Sequence, residues 1–277
     1  MPLPLRHCLT HCILLSLIVG CSHAAGDMPV AVPDPVVAKP YLMHLPGIAG
    51  SRYIDHSVTR GIEEAGFDGD IEIYDWTEND PGVGALLALD RNHKEAQLIA
   101  EKLVKHHTAE PGSKMYLLAH SGGCGLAIWA LEDLPADVKI QNLVMMSPAV
   151  SPGYDLTAAL KHINGHLYVF SSLADLFVLG TGTRLLGTID GVKTDAAGRV
   201  GFTKPPSGDA AQYAKFVAIP YDIAWFKYHD FGDHIGGMTR SFGKNVLEPL
   251  ILKNTMPPTS MPTTVETPTG LGRELPQ

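Results

Sequence analysis

The segment Leu117–Gly123 constrains the fold most, because an apolar run there passes directly into a serine followed by glycines. A serine at a sharp strand-to-helix turn has its hydroxyl lifted off the sheet, and such a turn tolerates only small neighbours. Ala119 and Gly123 stand two residues before and two after Ser121, as in the pattern G-x-S-x-G with alanine for the first glycine. The sequence therefore predicts a strand, a tight turn that presents Ser121, and a helix behind it.

Strand patterns and amphipathic helix patterns alternate along the middle of the chain. Such alternation is typical of a parallel sheet whose strands are joined by crossover helices. The sequence predicts an α/β fold in one domain, residues 40–255, with a mostly parallel sheet of about six strands flanked by helices. The strands are predicted at 41–45, 71–76, 115–119, 143–146, 167–170 and 216–219, and the main helices at 54–62, 96–103 and 126–134.

The N-terminus has the features of an export signal. Arg6 precedes the apolar run 12–19, which is shorter than the roughly 20 residues that a membrane-spanning helix needs. The sequence Ile-Val-Gly-Cys that ends at Cys21 resembles a bacterial lipobox, which implies cleavage before this cysteine and lipidation of its thiol. The alternative is an ordinary secretory signal cut after 22–24. We predict a signal peptide over residues 1–20 and an exported, cell-envelope protein that is lipid-anchored to a membrane.

The segments on either side of the domain are predicted to lack packed structure. Residues 21–39 are rich in proline and small residues without periodicity, which is typical of a tether. Residues 256–277 are rich in proline and threonine with few apolar anchors. We predict a disordered tail there, with docking onto the domain as the open alternative.

Charge and cysteine content exclude two kinds of protein. The formal net charge is −8 and no cluster of lysine and arginine occurs, so we expect no binding to nucleic acid. Apart from the signal segment and Cys21, the only cysteine is Cys124, and one thiol forms no intramolecular disulfide. With 45% hydrophobic residues, the chain can instead be held by a core. The sequence leaves the oligomeric state open.

Two motifs in chain order resemble those of a known superfamily. Residues 45–50, Leu-Pro-Gly-Ile-Ala-Gly, follow the first predicted strand, and residues 119–123, Ala-His-Ser-Gly-Gly, end the third. Together they resemble the small bacterial lipases and esterases of the α/β-hydrolase superfamily that have an A-H-S-x-G elbow. Over about residues 40–252, the resemblance implies that fold, with Ser121 as the nucleophile.

Attack on an ester carbonyl places negative charge on its oxygen, so fixed N–H donors are needed beside the serine. The turn itself offers the backbone N–H of Gly122. The resemblance implies that the second donor is the backbone N–H of Ile48, on the loop that follows the first strand. A glycine-rich connection without any ligand is the alternative for this loop.

The serine also needs a base and an acid, which in this superfamily follow it in the order acid, then histidine. Asp175 lies on the loop after the predicted strand 167–170, where the acid is expected. His234 follows the last predicted strand among glycines and is predicted to accept the proton of Ser121. His120 is predicted to support the site or face substrate, and the competing candidates are Asp155, Asp190 and Asp222 for the acid and His229 for the base.

These residues together predict a serine hydrolase that cleaves carboxylic esters through an acyl-enzyme, acting on a small-molecule ester or lipid. No cofactor is expected, because no dinucleotide fingerprint is complete. One alternative is a metal-dependent hydrolase that uses His229, Asp230, Asp233 and His234. Another is a non-catalytic lipoprotein that keeps the fold as a binding scaffold. The long irregular region 180–207 is predicted to form a cap.

Overall fold

The computed structural model describes residues 38–77 and 80–260. Its centre is a sheet of six parallel strands in the order β2-β1-β3-β4-β5-β6. This arrangement, with the serine turn directly after the third strand, confirms the predicted α/β-hydrolase fold class. The strands are β1 Tyr41–Leu45, β2 Asp70–Ile73, β3 Met115–His120, β4 Asn142–Met146, β5 Leu167–Ser171 and β6 Phe216–Pro220.

Helices connect the strands and cover both faces of the sheet. The longer ones agree with the predicted amphipathic segments, whereas most of the others are single turns of three to five residues. The α-helices are α1 Tyr53–Glu64, α2 Val83–Leu87, α3 Leu89–Ala109, α4 Gly123–Glu132, α5 Thr157–Leu160, α6 Thr183–Leu186, α7 Ala197–Val200, α8 Ala210–Tyr213, α9 Arg240–Phe242 and α10 Glu248–Lys253. Turns of 3₁₀-helix lie at Ile223–Tyr228 and Gly236–Met238, and turns of π-helix at Phe177–Gly182 and Gly243–Leu247.

The core lies in two layers, one on each face of the sheet. Side chains of a strand point alternately to the two faces, so β1 sends Leu42 to one layer and Met43 to the other. Helices α3 and α4 pack on the layer that contains Met43, and helices α1 and α10 pack on the layer that contains Leu42. A sheet covered on both faces explains why the strands are continuous apolar runs rather than alternating ones.

Packing continues past the predicted end of the domain at residue 255. Met256 packs against the layer that contains Leu42, and the Trp225 indole donates to the carbonyl of Pro258 at 2.7 Å. The Ser260 backbone N–H donates to the Asp222 carboxylate at 2.8 Å. The first five residues of the predicted tail are therefore docked on the domain.

The other predictions for the two ends fall outside the described residues. These are the signal peptide, the lipidation of Cys21, most of the tether 21–39 and the tail from residue 261 onward. Between residues 38 and 260, where described, every helix is too short or too polar to cross a lipid bilayer.

Candidate active site

Ser121 occupies the turn between β3 and α4. Its φ of 54° lies in the left-handed region, which is costly for a residue with a side chain and persists only where the surrounding structure imposes it. The Ser121 N–H donates to the Met146 carbonyl at 2.9 Å, and the Ser121 carbonyl accepts the N–H of Ala149 at 3.1 Å. Hydrogen bonds to the end of β4 therefore hold the serine in this conformation.

The turn packs closely against the loop after β1, which is residues 46–51 and is called the β1 loop below. A Cβ on Gly123 would lie 2.4 Å from the carbonyl oxygen of Pro46. A Cβ on Gly122 would lie 2.8 Å from the Cγ2 of Ile48. Glycine at both positions thus lets the backbone of the turn and the β1 loop meet directly beside the serine hydroxyl.

The predicted acid and base lie in a hydrogen-bonded chain with the serine. His234 Nε2 is 2.9 Å from the Ser121 hydroxyl oxygen, and His234 Nδ1 is 2.6 Å from Asp175 Oδ2. A carboxylate only accepts hydrogen bonds, so Nδ1 carries the hydrogen and Nε2 accepts from the serine hydroxyl. The arrangement can therefore move the serine proton onto an imidazole that a buried carboxylate orients.

The loop that carries His234 is folded around a buried carboxyl group. Asp230 is 5% exposed, and its Oδ1 accepts the N–H of Gly232 at 2.8 Å. A Cβ on Gly236 would lie 2.4 Å from the same oxygen, so the loop closes tightly over this side chain. Burial raises the pKa of Asp230 to about 6. Its sequence context gave no indication of this supporting position.

His120 joins the two loops that flank the serine. Its Nε2 donates to the backbone carbonyl of His234 at 2.9 Å, and a Cβ on Gly47 would lie 3.1 Å from its Nδ1. Burial, together with the nearby imidazole of His234, lowers the pKa of His120 to about 3. The ring is therefore neutral at neutral pH, so it supports the histidine loop without placing a second positive charge beside His234.

This buried neutral histidine is expected to make stability fall with acid. The unfolded chain binds a proton at His120 near pH 6.5, whereas the folded chain binds it only near pH 3. As pH falls through this range, the free energy of unfolding should decrease by about 1.4 kcal/mol per pH unit from this group. Urea unfolding of wild type and His120→Asn at pH 7, 6, 5 and 4 measures this decrease in the free energy of unfolding. The two stability curves should converge towards low pH, and parallel curves would refute this assignment.

The backbone N–H groups of the two predicted oxyanion donors are free of protein partners in the part of the chain that the structure describes. Within the described residues, neither the N–H of Ile48 nor that of Gly122 has a hydrogen-bond partner. Ile48 is held through the next peptide along the chain, because its carbonyl accepts the N–H of Gly82 at 2.6 Å. The Trp76 indole donates to the Pro46 carbonyl at 2.8 Å. The β1 loop is thus fixed while the Ile48 N–H stays available.

A cavity of about 160 Å³ lies over Ser121 and His234. Ile48, Ile54 and Val178 form much of its wall, so the wall is largely apolar. Pockets for drug-sized ligands span roughly 300 to 1,000 Å³, so this one fits a small group only. A larger groove of about 550 Å³ has no lining residue in common with this cavity and is lined by residues within 97–105 of α3 and 133–135, just after α4.

The competing candidates have other partners. Asp155 binds Thr157 and Ser207, Asp190 binds Ser151, and Asp222 accepts N–H groups of Ala224 and Ser260. His229 ends a 3₁₀ turn with a φ of 66°. The structure therefore joins Asp175 and His234, rather than these residues, to the serine.

The predicted alternative of a metal site in this loop does not form. His234 binds Asp175 and Ser121, Asp230 binds the Gly232 N–H, and Asp233 binds the Ile235 N–H at 3.0 Å. In the described part of the chain, no three His, Cys, Asp or Glu side chains converge in a way that could hold a metal ion.

The region 180–207 is packed onto the domain rather than free. Ile189 is 1% exposed, and a Cβ on Gly125 of α4 would lie 2.3 Å from its Cγ2. Two ion pairs join Asp195 to Arg184 and Arg199. Sequence reasoning did not find these anchors, because the region has no periodic pattern and its contacts are distant in the chain.

Comparisons with known proteins find similar structures but no significantly similar sequence. A scan against protein-family models finds no match, and a search of curated proteins finds no significantly similar sequence. Among solved structures, lipase B of Aspergillus fumigatus is 12% identical with a TM-score of 0.48, and the match covers 76% of this chain and 51% of the lipase. The chain thus spans about half the length of that protein.

Two further structures show the same level of likeness. Carboxyl esterase 2 of Tuber melanosporum is 13% identical with a TM-score of 0.37, over 58% of this chain and 67% of that one. The protein Est1E of Butyrivibrio proteoclasticus is 12% identical with a TM-score of 0.37, over 76% and 88%. At these identities and TM-scores, the likeness does not define the reaction or the substrate of this chain.

Proposed function

We propose that this protein is a serine hydrolase that cleaves carboxylic esters through an acyl-enzyme. The observation that carries the proposal is the hydrogen-bonded chain from Ser121 to His234 to Asp175, at 2.9 and 2.6 Å. The serine stands on a turn with two available N–H groups beside it. Nucleophile, base, orienting acid and oxyanion donors are the parts that acyl transfer requires.

In the first half of the reaction, His234 Nε2 takes the hydroxyl proton while the Ser121 oxygen bonds to the ester carbonyl carbon. The carbonyl π electrons move to the oxygen, whose negative charge the N–H groups of Ile48 and Gly122 stabilise. The tetrahedral intermediate then collapses, the bond to the alcohol oxygen breaks, and His234 gives its proton to the departing alcohol. Asp175 stabilises the imidazolium between these two proton transfers.

In the second half, water replaces the alcohol. His234 takes a proton from water, the hydroxide oxygen bonds to the acyl carbon, and the same two N–H groups hold the second oxyanion. Breaking the bond to the Ser121 oxygen releases the carboxylic acid, and the proton on His234 returns to the serine. The site is then as it began.

The cavity over the serine favours esters with a short apolar group. Each methylene is similar in size to a water molecule, whose share of liquid volume is about 30 Å³. A cavity of about 160 Å³ therefore admits about five such groups. The apolar side chains of Ile48, Ile54 and Val178 in its wall favour an apolar substituent.

We expect p-nitrophenyl butanoate and hexanoate to be hydrolysed with a kcat/KM at least tenfold above that of the dodecanoate, because the longer chain exceeds the cavity. Release of p-nitrophenol across the series from two to twelve carbons measures this. Equal rates at all lengths would contradict the size limit. No release with any ester would contradict the proposed hydrolase and favour a binding scaffold instead.

We also propose that the protein is exported and lipid-anchored through Cys21, which rests on the lipobox-like segment that ends there. Two or more acyl chains hold a protein stably on a membrane. In a bacterial host, wild type should fractionate with membranes and incorporate labelled palmitate. Cys21→Ala should lose the label and leave the membrane fraction. Recovery of wild type as soluble protein that lacks Cys21 would show a secretory signal instead.

A further inference from the structure

His44 and Asp55 form a buried pair that the proposed reaction does not use. His44 is 0% exposed and Asp55 is 1% exposed. His44 Nε2 is 2.7 Å from Asp55 Oδ1, and His44 Nδ1 is 3.0 Å from the carbonyl oxygen of Leu118 on the neighbouring strand. Both ring nitrogens therefore face oxygen atoms in a place that excludes water.

The hydrogen-bond partners fit an ion pair. A neutral imidazole has one donor and one acceptor nitrogen, whereas an imidazolium has two donors. A carbonyl oxygen only accepts, and the other Asp55 oxygen already accepts the backbone N–H of Arg52 at 2.8 Å. Two donors on His44 and a carboxylate at Asp55 satisfy every atom. Burial opposes ionisation of Asp55, but the hydrogen bond and charge of His44 outweigh it and hold the carboxyl pKa below its usual value.

The pair lies at the two ends of the β1 loop. His44 is in β1, two residues before the loop starts, and Asp55 is in the first turn of α1, just after the loop ends. Asp55 also fixes Arg52, the residue that caps α1. A bond between His44 and Asp55 therefore closes the base of the loop that carries the Ile48 N–H.

The β1 loop itself is held by different contacts. The Asp75 carboxylate accepts the N–H of Ser51 at 2.8 Å, and Trp76 and Gly82 bind the carbonyls of Pro46 and Ile48. These contacts restrain the loop on the side of β2. The pair at its base restrains it on the side of α1, which borders the cavity over the serine.

We propose that His44 and Asp55 are positioning residues, whose buried hydrogen bond holds the β1 loop so that the Ile48 N–H meets the oxyanion of the reacting ester. The inference rests on the proposed hydrolase activity. Removing the Asp55 side chain leaves the Nε2 of the buried His44 without a hydrogen-bond partner and opens the base of the loop, and an unmade buried hydrogen bond is costly. The loop then moves, and a shift of about 1 Å in a catalytic group can lower a rate about 100-fold.

Two substitutions of Asp55 separate positioning from charge. Asp55→Asn keeps the shape, since its amide oxygen accepts the Arg52 N–H and its NH₂ donates to a neutral His44. We expect kcat within about threefold of wild type. Asp55→Ala removes both bonds, and we expect kcat to fall about 30-fold with KM within twofold, because an oxyanion donor acts mainly in the transition state. Affinity for a trifluoromethyl ketone, which forms an oxyanion on the serine, should fall in parallel.

Asn142→Ala is the matched control for loss of stability. Asn142 is 1% exposed at the start of β4, at the opposite end of the strands from the serine turn, and binds Ile251 and Asn254. The variant Asn142→Ala should lower the melting temperature, and its kcat should equal that of wild type at temperatures below the unfolding transition. If Asp55→Ala keeps the wild-type kcat and ketone affinity, the pair is only structural and the inference is wrong. Should Asp55→Ala not fold, Asp55→Ser carries the same comparison, since serine is too short to reach His44.

Ring ¹⁵N shifts of His44 test the pair without any turnover. An ion pair requires a hydrogen on both ring nitrogens, and an unprotonated ring nitrogen in wild type would overturn it. An inactive wild type with a doubly protonated His44 would refute the proposed hydrolase and leave the pair intact. An active wild type with an unaffected Asp55→Ala would support the hydrolase and refute the positioning role of the pair.

Discussion

Replacing Ser121 with alanine is expected to lower kcat about 10⁴- to 10⁶-fold, because it removes the atom that bonds to the acyl carbon. The remaining rate would come from water that reacts beside the oxyanion donors. Substrate binding should depend mainly on the apolar wall of the cavity, so KM should change little. Release of p-nitrophenol from the butanoate ester, in wild type and in Ser121→Ala, measures the effect.

The chain offers a matched control at Ser147. This residue also has a positive φ, 48°, at the end of the neighbouring strand β4, but it lies outside the hydrogen-bonded chain. Ser147→Ala makes the same chemical change in the same backbone conformation, and its kcat should stay within about threefold of wild type. An equal loss of kcat in the two variants would point to a packing effect. If both variants kept the wild-type kcat, Ser121 would not be the nucleophile.

Asp175→Asn is expected to lower kcat about 10³- to 10⁴-fold with little change in KM. The amide NH₂ donates to His234 Nδ1, so the hydrogen of the imidazole moves to Nε2, the nitrogen that faces the serine. A nitrogen that carries hydrogen accepts no proton, and the serine loses its base. Asp175 is 3% exposed and the amide has the same shape, so the fold should persist.

The same substitution at Asp190 provides the comparison. Asp190 was a candidate acid in the sequence, but its carboxylate binds the backbone and hydroxyl of Ser151. Asp190→Asn should keep kcat and lower only the melting temperature, as read by circular dichroism. A loss of activity at Asp190 with retention at Asp175 would exchange the roles proposed for the two residues.

The strands and the serine turn could be predicted because their signals are local. Apolar runs between turn residues define β1 and β3, and small residues around Ser121 define the turn. Helix α3 starts at Leu89, seven residues before the predicted start, because its first two turns are mostly polar and lack the apolar period. Strand β2 ends at Ile73, three residues early, because the chain turns there to place Trp76 under the β1 loop.

The site itself could be predicted only in part. Chain order and loop position indicated Asp175 and His234, because a superfamily pattern describes where such residues stand. The supports of the site had no such pattern. His44 is a single histidine in an apolar strand, and its partner Asp55 follows eleven residues later on a helix. The supporting role of Asp230 likewise depends on how the loop closes. Its contacts with Gly232 and Gly236 follow from the backbone conformation, and no sequence motif indicates them.

Reaction with a fluorophosphonate tests the central claim most directly, because this reagent bonds only to a serine that a neighbouring base activates. The account predicts one phosphonyl group per chain, located on Ser121 by mass spectrometry of the peptides, with no label in Ser121→Ala and slow labelling in Asp175→Asn. Label on another residue, or a wild-type protein that stays unlabelled while correctly folded, would contradict it.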